Sequence, residues 1–150
     1  MEIRDIQNHE LDELLNLYRH LHEKDDPPPA REVLVDIWER IQADEKQRYF
    51  GAFLDEQLVS SCVLCVIPNL TRGCRPYGLI ENVVSHPDHR RMGYGKAVLE
   101  FALQYAWDHR CYKVMLLTGR KNQGTFMFYE SAGFDRHSKQ AFLAKDPKSI

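Results

Sequence analysis

The sequence predicts an α/β domain of the α+β type, a mixed and mostly antiparallel central sheet flanked by about four helices. Three observations carry that expectation. After a short alternating start, apolar residues recur at helical spacing as far as Ile41. From Tyr49 the period changes to two, and a polar "DEQ" break divides two β-rich runs. Beyond Tyr77 a strand, a glycine-containing loop, a helix and a short apolar strand follow one another, which is a strand-helix-strand unit.

Each element has its own reason. "MEIRDI" alternates polar and apolar residues and reads as a strand. In "NHELDELLNLYRHLHEK" one helical stripe collects Leu11, Leu14, Leu15, Tyr18 and Leu21, with Asn8 as the expected N-cap. The prolines of "DDPPP", Asp25 to Pro29, end that helix because proline lacks the N–H a helix interior needs. A second stripe, Val33, Leu34, Ile37, Trp38 and Ile41, predicts another helix with a core-facing side. "YFGAFL" and "LVSSCVLCVI" form a hairpin, "PNLTRGCRP" a loop, and "YGLIENVVS" a strand. Val98, Leu99, Ala102, Leu103 and Ala106 mark the next helix, "KVMLLT" a strand, "GTFMFYESA" a short helix closed by Gly133, and "QAFLAK" a last strand. No repeat or linker divides the chain, so residues 1–150 are expected to form one domain.

Composition removes several function classes. A net charge of -2 offers no global basic field, so no nucleic-acid partner is expected. No apolar run approaches the roughly 20 residues of a membrane span. The polar start "MEIRDIQNHE" is unlike a signal peptide, which makes the expected compartment cytoplasmic and excludes a membrane partner. Cys62 and Cys65 have the spacing of a metal knuckle, yet they fall inside a strand, where positions three apart face opposite sides. With Cys74 and Cys111 they are expected to be ordinary thiols, and no metal is expected.

The richest stretch is "HPDHRRMGYGKAVLEF", where Arg90, Arg91, Gly93, Gly95 and Lys96 crowd a strand-to-helix junction. A Walker loop would need Ser or Thr after Gly95-Lys96, and Ala97 stands there. A dinucleotide fingerprint starting at Gly93 would need its third glycine where Val98 stands. What remains is R-x-x-G-x-G, Arg90 to Gly95. Free N–H groups at the start of a helix carry the positive end of its dipole, and glycines let a diphosphate reach them. The rival is a plain basic loop that uses glycine to bend.

With its context, this stretch resembles the GNAT superfamily of acetyl-CoA-dependent N-acetyltransferases. "IENVVSHPDHRRMGYGKAVLEFA" is similar to that family's coenzyme A-binding strand, loop and helix, and "NQGTFMFYESAGF" to its later segment ending in Gly-Phe. The order of elements from Ile3 to about Lys145 agrees. The resemblance implies acetyl-CoA as co-substrate. Main-chain N–H groups of Arg91, Met92, Gly93, Tyr94, Gly95 and Lys96 would face its pyrophosphate, with Arg90 adding charge. Val83, Val84 and Ser85 would line the pantetheine arm, the Val83 N–H serving the thioester oxygen. Asn122 and Phe128 would contact the arm from the later segment.

Two proton carriers follow. Glu81, two residues before Val83 and by alternation on its face, is the candidate base, directly or through water. It matches the glutamate of "IED" in the glucosamine-6-phosphate N-acetyltransferase subgroup, the local sequence nearest here, while Asn82 replaces that subgroup's aspartate. Tyr129, seven residues after Asn122, is the candidate acid. The expected reaction is acetyl transfer to a primary amine of a small molecule or peptide, by direct attack in a ternary complex. The acceptor pocket is expected among the two early helices, the "DDPPPARE" link with Asp25, Asp26 and Glu32, and the "PNLTRGCRP" loop. Two rival readings are a coenzyme A-binding sensor without a productive acceptor and a nucleotide-binding protein using the basic loop. Exposed edge strands leave room for a homodimer.

Overall fold

The computed structural model describes residues 1–149. Among them a five-stranded sheet runs in the order β1-β2-β3-β4-β5, formed by Glu2–Asp5, Gln47–Leu54, Gln57–Ile67, Tyr77–Ser85 and Val114–Leu116. The first four strands are antiparallel, and β5 joins β4 in parallel because a helix carries the chain across between them. The β2–β3 turn is Asp55-Glu56, both at positive φ (48° and 66°), the backbone that matches the twist of a two-residue hairpin.

The helices divide between the two faces. α1 (Leu11–Tyr18) and α2 (Arg31–Ala43) cover one, where Ile6, Leu11, Leu14, Leu17, Trp38, Leu58 and Val84 form a core. α4 (Tyr94–Asp108) covers the other, packing Val98, Leu99, Ala102 and Ala106 on Phe50, Leu64 and Ile80. α3 (Thr71–Cys74) is one left-handed turn, with Arg72, Gly73 and Cys74 all at positive φ. α5 (Gln123–Ser131) rests on α4's side of the sheet through Phe128 and Tyr129.

Four local expectations are corrected. Asn8 does not cap α1: the Glu10 carboxylate accepts the Gln7 N–H at 2.7 Å and pairs with both terminal nitrogens of Arg4, while the Asn8 carbonyl accepts the Trp38 indole N–H. α1 ends at Tyr18, and its deepest row is Leu11, Leu14 and Leu17. In α2 only Trp38 is buried, whereas Val33 and Ile37 are 45% and 47% exposed, because the helix touches the sheet along a narrower strip than its apolar stripe. "QAFLAK" is not a strand: it runs without sheet partners and leaves Phe142 91% exposed.

Candidate active site

β4 delivers the chain into the basic loop, and the loop's backbone explains its glycines. Arg91 and Gly93 both adopt left-handed φ values, 61° and 85°, on either side of Met92. Such alternation turns successive N–H groups inward into an anion-binding concavity. α4 begins immediately after Gly93 with no side chain capping it. Ala97 is the first residue whose N–H returns to the helix, bonding the Gly93 carbonyl at 3.0 Å. Among the described residues, nothing accepts from the amides of residues 91–96. At Gly95 a Cβ would lie 3.0 Å from the Phe128 ring and 3.1 Å from Ser85 Oγ, so a side chain there would fill the cradle floor. Above Gly93 the space is open.

The side chains around this floor are arranged for reach. Arg91, Met92 and Lys96 are exposed, Lys96 pairing loosely with Glu100 at 3.6 Å. Arg90 leans back, its Nε donating to the Ser85 carbonyl at 3.4 Å. Ser85 and Ser60 share a hydroxyl hydrogen bond of 2.8 Å that ties the end of β4 to β3. Six consecutive unclaimed amides, a helix dipole and flanking cations fit a diphosphate.

Next to the cradle the sheet splits. β5 ends at Leu116, which pairs with Ile80, so Glu81–Ser85 have no strand neighbour on that side. Their free edge suits an extended, amide-rich ligand that adds to a sheet as a strand would. On β4's other side the register with β3 slips: Glu81 pairs with Val63, but Val84 pairs with Ser61. The extra residue is accommodated at Asn82, which sits at φ 52°. This bulge resets the alternation. Ile80 and Val83, three apart, both pack toward α4, and Val84 packs toward α1. Glu81 and Val83 therefore do not share a face, contrary to the alternation expected along β4. Glu81 points away from Ile80's side, toward α1 and α2, and Val83 toward α4.

Tyr129 stands on α4's side, its ring edge-on to Phe134 at 6.3 Å and beside Phe128 at 5.0 Å. Burial pushes its phenol above the ordinary tyrosine value, with nearby Glu81 pushing the same way and Arg120 pulling it down. Asn122 caps α5: its Oδ1 accepts the Thr125 N–H at 2.9 Å, and its NH2 remains available to a ligand. Burial lifts the Cys62 thiol to about 12, and the Cys65 thiol is also raised by burial and then by Glu81. No group of three or more metal-ligating side chains occurs among the described residues, and no described helix is long and apolar enough to cross a membrane.

The geometry adds two residues that sequence reading left in other roles. Tyr18, assigned to a core stripe, has a buried hydroxyl whose pKa burial raises while the Asn82 side chain opposes the rise. Asn82, noted only as a departure from a subgroup pattern, is the bulge itself. Its one available signal was chemical: asparagine tolerates left-handed backbone better than most residues.

Comparison with known proteins agrees with this architecture. Residues 11–134 match the model of the acetyltransferase (GNAT) family. The chain is 33% identical to a glucosamine 6-phosphate N-acetyltransferase of Trypanosoma brucei brucei over 144 residues, 95% of each protein. A presumed acetyltransferase of Agrobacterium tumefaciens str. C58 superposes with a TM-score of 0.91 at 36% identity, covering 97% of this chain and 100% of that one. A glucosamine-6-phosphate N-acetyltransferase of Arabidopsis thaliana, 21% identical, shares the fold with a TM-score of 0.82 over 97% of this chain and 98% of its own. With a match across most of its length and a cradle suited to a diphosphate, the chain belongs to the acetyltransferase (GNAT) family and is an acetyl-CoA-dependent N-acetyltransferase.

Proposed function

We propose that residues 1–150 form one acetyltransferase domain that serves a primary amine of a small molecule, both substrates being bound together when transfer occurs. The observation that carries this reading is the bulge at Asn82, which turns Glu81 toward α1 and α2 while Val83 faces α4. The amine would then approach from the helix-covered side and the acyl group through the split between β4 and β5. Acetyl-CoA supplies the acyl group as a thioester. The amides of residues 91–96 hold its diphosphate, the free edge of Val83–Ser85 and the Asn122 NH2 hold its amide-rich arm, and Phe128 walls it. The Val83 N–H donates to the carbonyl oxygen as charge gathers there.

Protons then balance as follows. The acceptor ammonium gives one proton to the Glu81 carboxylate through water, freeing the lone pair that forms the new N–C bond. The C–S bond breaks, the Tyr129 hydroxyl gives its proton to the departing sulfur, and the second proton of the attacking nitrogen leaves as the amide forms and restores the Tyr129 phenol. A phenol held above its ordinary value keeps that proton at neutral pH. An acetyl-cysteine route is disfavoured by Cys62, whose thiol is lifted to about 12 and so carries almost no thiolate. The named relatives make a phosphorylated amino sugar the first acceptor to assay, ahead of peptides. We assign the protein to the cytoplasm without a nucleic-acid or membrane partner, and the exposed tail around Phe142 together with the edge of β5 suits a homodimer.

The test is an amine screen with acetyl-CoA, run on the wild type and on Glu81→Gln. Turnover on the best amine should fall at least ~tenfold in the variant while acetyl-CoA binding is kept. Equal rates would remove Glu81 from its role.

A further inference from the structure

A second group of cations lies at the other end of the nine-residue strand β4, about 26 Å from Ser85 and so out of reach of the diphosphate cradle. The guanidiniums of Arg72 and Arg75 stand 5.9 and 5.7 Å from the centre of the Tyr112 ring. The Lys113 ammonium is 5.3 Å from the same ring and 5.4 Å from that of Tyr77, and the two rings meet edge-on at 6.4 Å. Hydrogen bonds fix the turn that carries the arginines. The Asn69 NH2 donates to the Thr71 and Arg75 carbonyls. Arg75 Nε donates to the Arg72 carbonyl at 3.0 Å, which leaves the terminal nitrogens of Arg75 without an acceptor among the described residues.

This group shares a face with Glu81. A Cβ on Gly78 would lie 3.0 Å from Leu64 and Val114 in the α4-side core. Tyr77, Leu79 and Glu81 alternate with the α4-facing residues ahead of the bulge, so they point to the α1–α2 side. Val114 packs toward α4, and Lys113 before it lies on Tyr77's side. α2 packs on β2 and α1 mainly on β3, leaving Leu79 and Met115 half-buried between Glu81 and the cations. The floor is thus acidic at one end, apolar in its middle and cationic at the other. Three like charges on two rings repel one another, and the ring faces offset this only modestly. None of the three pairs with a carboxylate among the described residues. An anion shared by all three would supply the missing counter-charge.

We propose that Arg72, Arg75 and Lys113, over Tyr77 and Tyr112, bind an anionic group of the acceptor. The preferred substrates are then amines with a phosphate or carboxylate no more than about 13 Å from the nitrogen, the length of β4 from Glu81 to Tyr77. The two arginines can offer paired N–H donors to either oxyanion, whereas the lysine adds a point charge. The inference rests on the acceptor reaching Glu81 from the α1–α2 side. It deepens that reading by naming the charge the acceptor carries and the residues that select it.

The experiment uses two matched pairs of amines, an amino sugar phosphate against the free amino sugar and ε-aminocaproate against hexylamine, which separate phosphate from carboxylate. In the wild type, kcat/KM should favour the anionic member of at least one pair by about tenfold, chiefly through KM, and the advantage should shrink as salt is raised. Replacing both arginines, Arg72→Gln with Arg75→Gln, should cut that ratio about tenfold, and Lys113→Gln about threefold. Acetyl-CoA affinity and the melting temperature should not move. Equal kcat/KM within both pairs overturns the proposal, as does a ratio that survives the double arginine variant. If no amine is turned over, calorimetry with coenzyme A filling the cradle reads the same comparison as affinities, and equal affinities within both pairs overturn it. Glu81→Gln separates this idea from the base, since it should slow both members of a pair and keep their ratio. Unchanged rates there, beside a ratio lost in the arginine variant, remove the base and leave the subsite standing.

Discussion

α4 lays Val98, Leu99, Ala102 and Ala106 into the sheet, whereas α2, with 13 residues against α4's 15, buries Trp38 alone. Both were legible as amphipathic helices. They differ in what the opposite face of each must do. α4 carries the free amides of residues 94–96 in its own first turn, and a helix anchored along its length holds them in place. α2 lies over the side proposed for the acceptor's approach, and leaves Val33 and Ile37 uncovered. Packing is thus concentrated on the face that carries the free amides at the start of α4, and is thin on the α2 side, where the acceptor is proposed to enter.

The largest test of this contrast is Leu99→Ala. Leu99 is fully buried between α4 and the sheet. Truncation should cost ~3 kcal/mol, the transfer term plus the cavity left behind. Denaturant unfolding reads it directly, and a loss under about 1 kcal/mol would mean that the α4 side is no more tightly packed than the other.

On the α1–α2 side, charge pairing supplies part of what packing does not. Glu10 is 5% exposed and accepts from Arg4 through both oxygens at 2.7 and 2.9 Å, and Arg31 pairs with Asp12 to join the start of α2 to α1. Glu10→Gln should destabilise by ~2 kcal/mol at neutral pH, since Arg4 keeps some access to water but loses its charged partner. Hydrogen bonding from Arg4 holds the Glu10 carboxyl below its ordinary value. The stabilisation is therefore complete above the ordinary glutamate range, near ~4.3, and fades as pH falls through the lowered folded value. Unfolding curves of wild type and Glu10→Gln should accordingly converge in acid, and a constant gap down to low pH would contradict the pairing.

A smaller and more local effect belongs to Gly95→Ala. The new methyl must displace Phe128 or the Ser85 hydroxyl by a few tenths of an ångström, moving the floor under the amides. Acetyl-CoA affinity should weaken about tenfold, or ~1.4 kcal/mol, as read by calorimetry. Gly93→Ala meets open space instead, and should act through its φ of 85°, lowering stability more than affinity.

What could be read in advance follows the same division. The hairpin, the crossover helix and the glycine-bearing start of α4 were visible because each depends on local pattern: period two, period 3.6 and glycine at a junction. The bulge was not visible, since "LIENVVS" alternates well enough to hide one extra residue, and only the pairing with β3 shows it. Hence Glu81 and Val83 were expected together and lie on opposite sides. "QAFLAK" has strand composition but no neighbour to pair with, and a strand exists only where another backbone offers its groups. The Asn8 cap failed because Arg4, fixed by β1, drew Glu10 into the capping role, a tertiary choice that no local pattern encodes.

The smallest expected change is at Ile37, and it tests the other half of the contrast. If α2's outer stripe contributes to folding, Ile37→Ser should behave like a core substitution. If the stripe is left open for the acceptor, removing an apolar group that is already 47% exposed should alter stability by no more than ~0.5 kcal/mol. The acceptor KM should then move while acetyl-CoA affinity does not, because α2 makes no contribution to the cradle. Paired measurement of Leu99→Ala and Ile37→Ser in one denaturant series compares the two faces under identical conditions. Similar losses would place the apparent looseness of α2 in its surface shape, and the acceptor route would then have to be sought at the "PNLTRGCRP" turn, where Arg72, Gly73 and Cys74 already hold left-handed backbone.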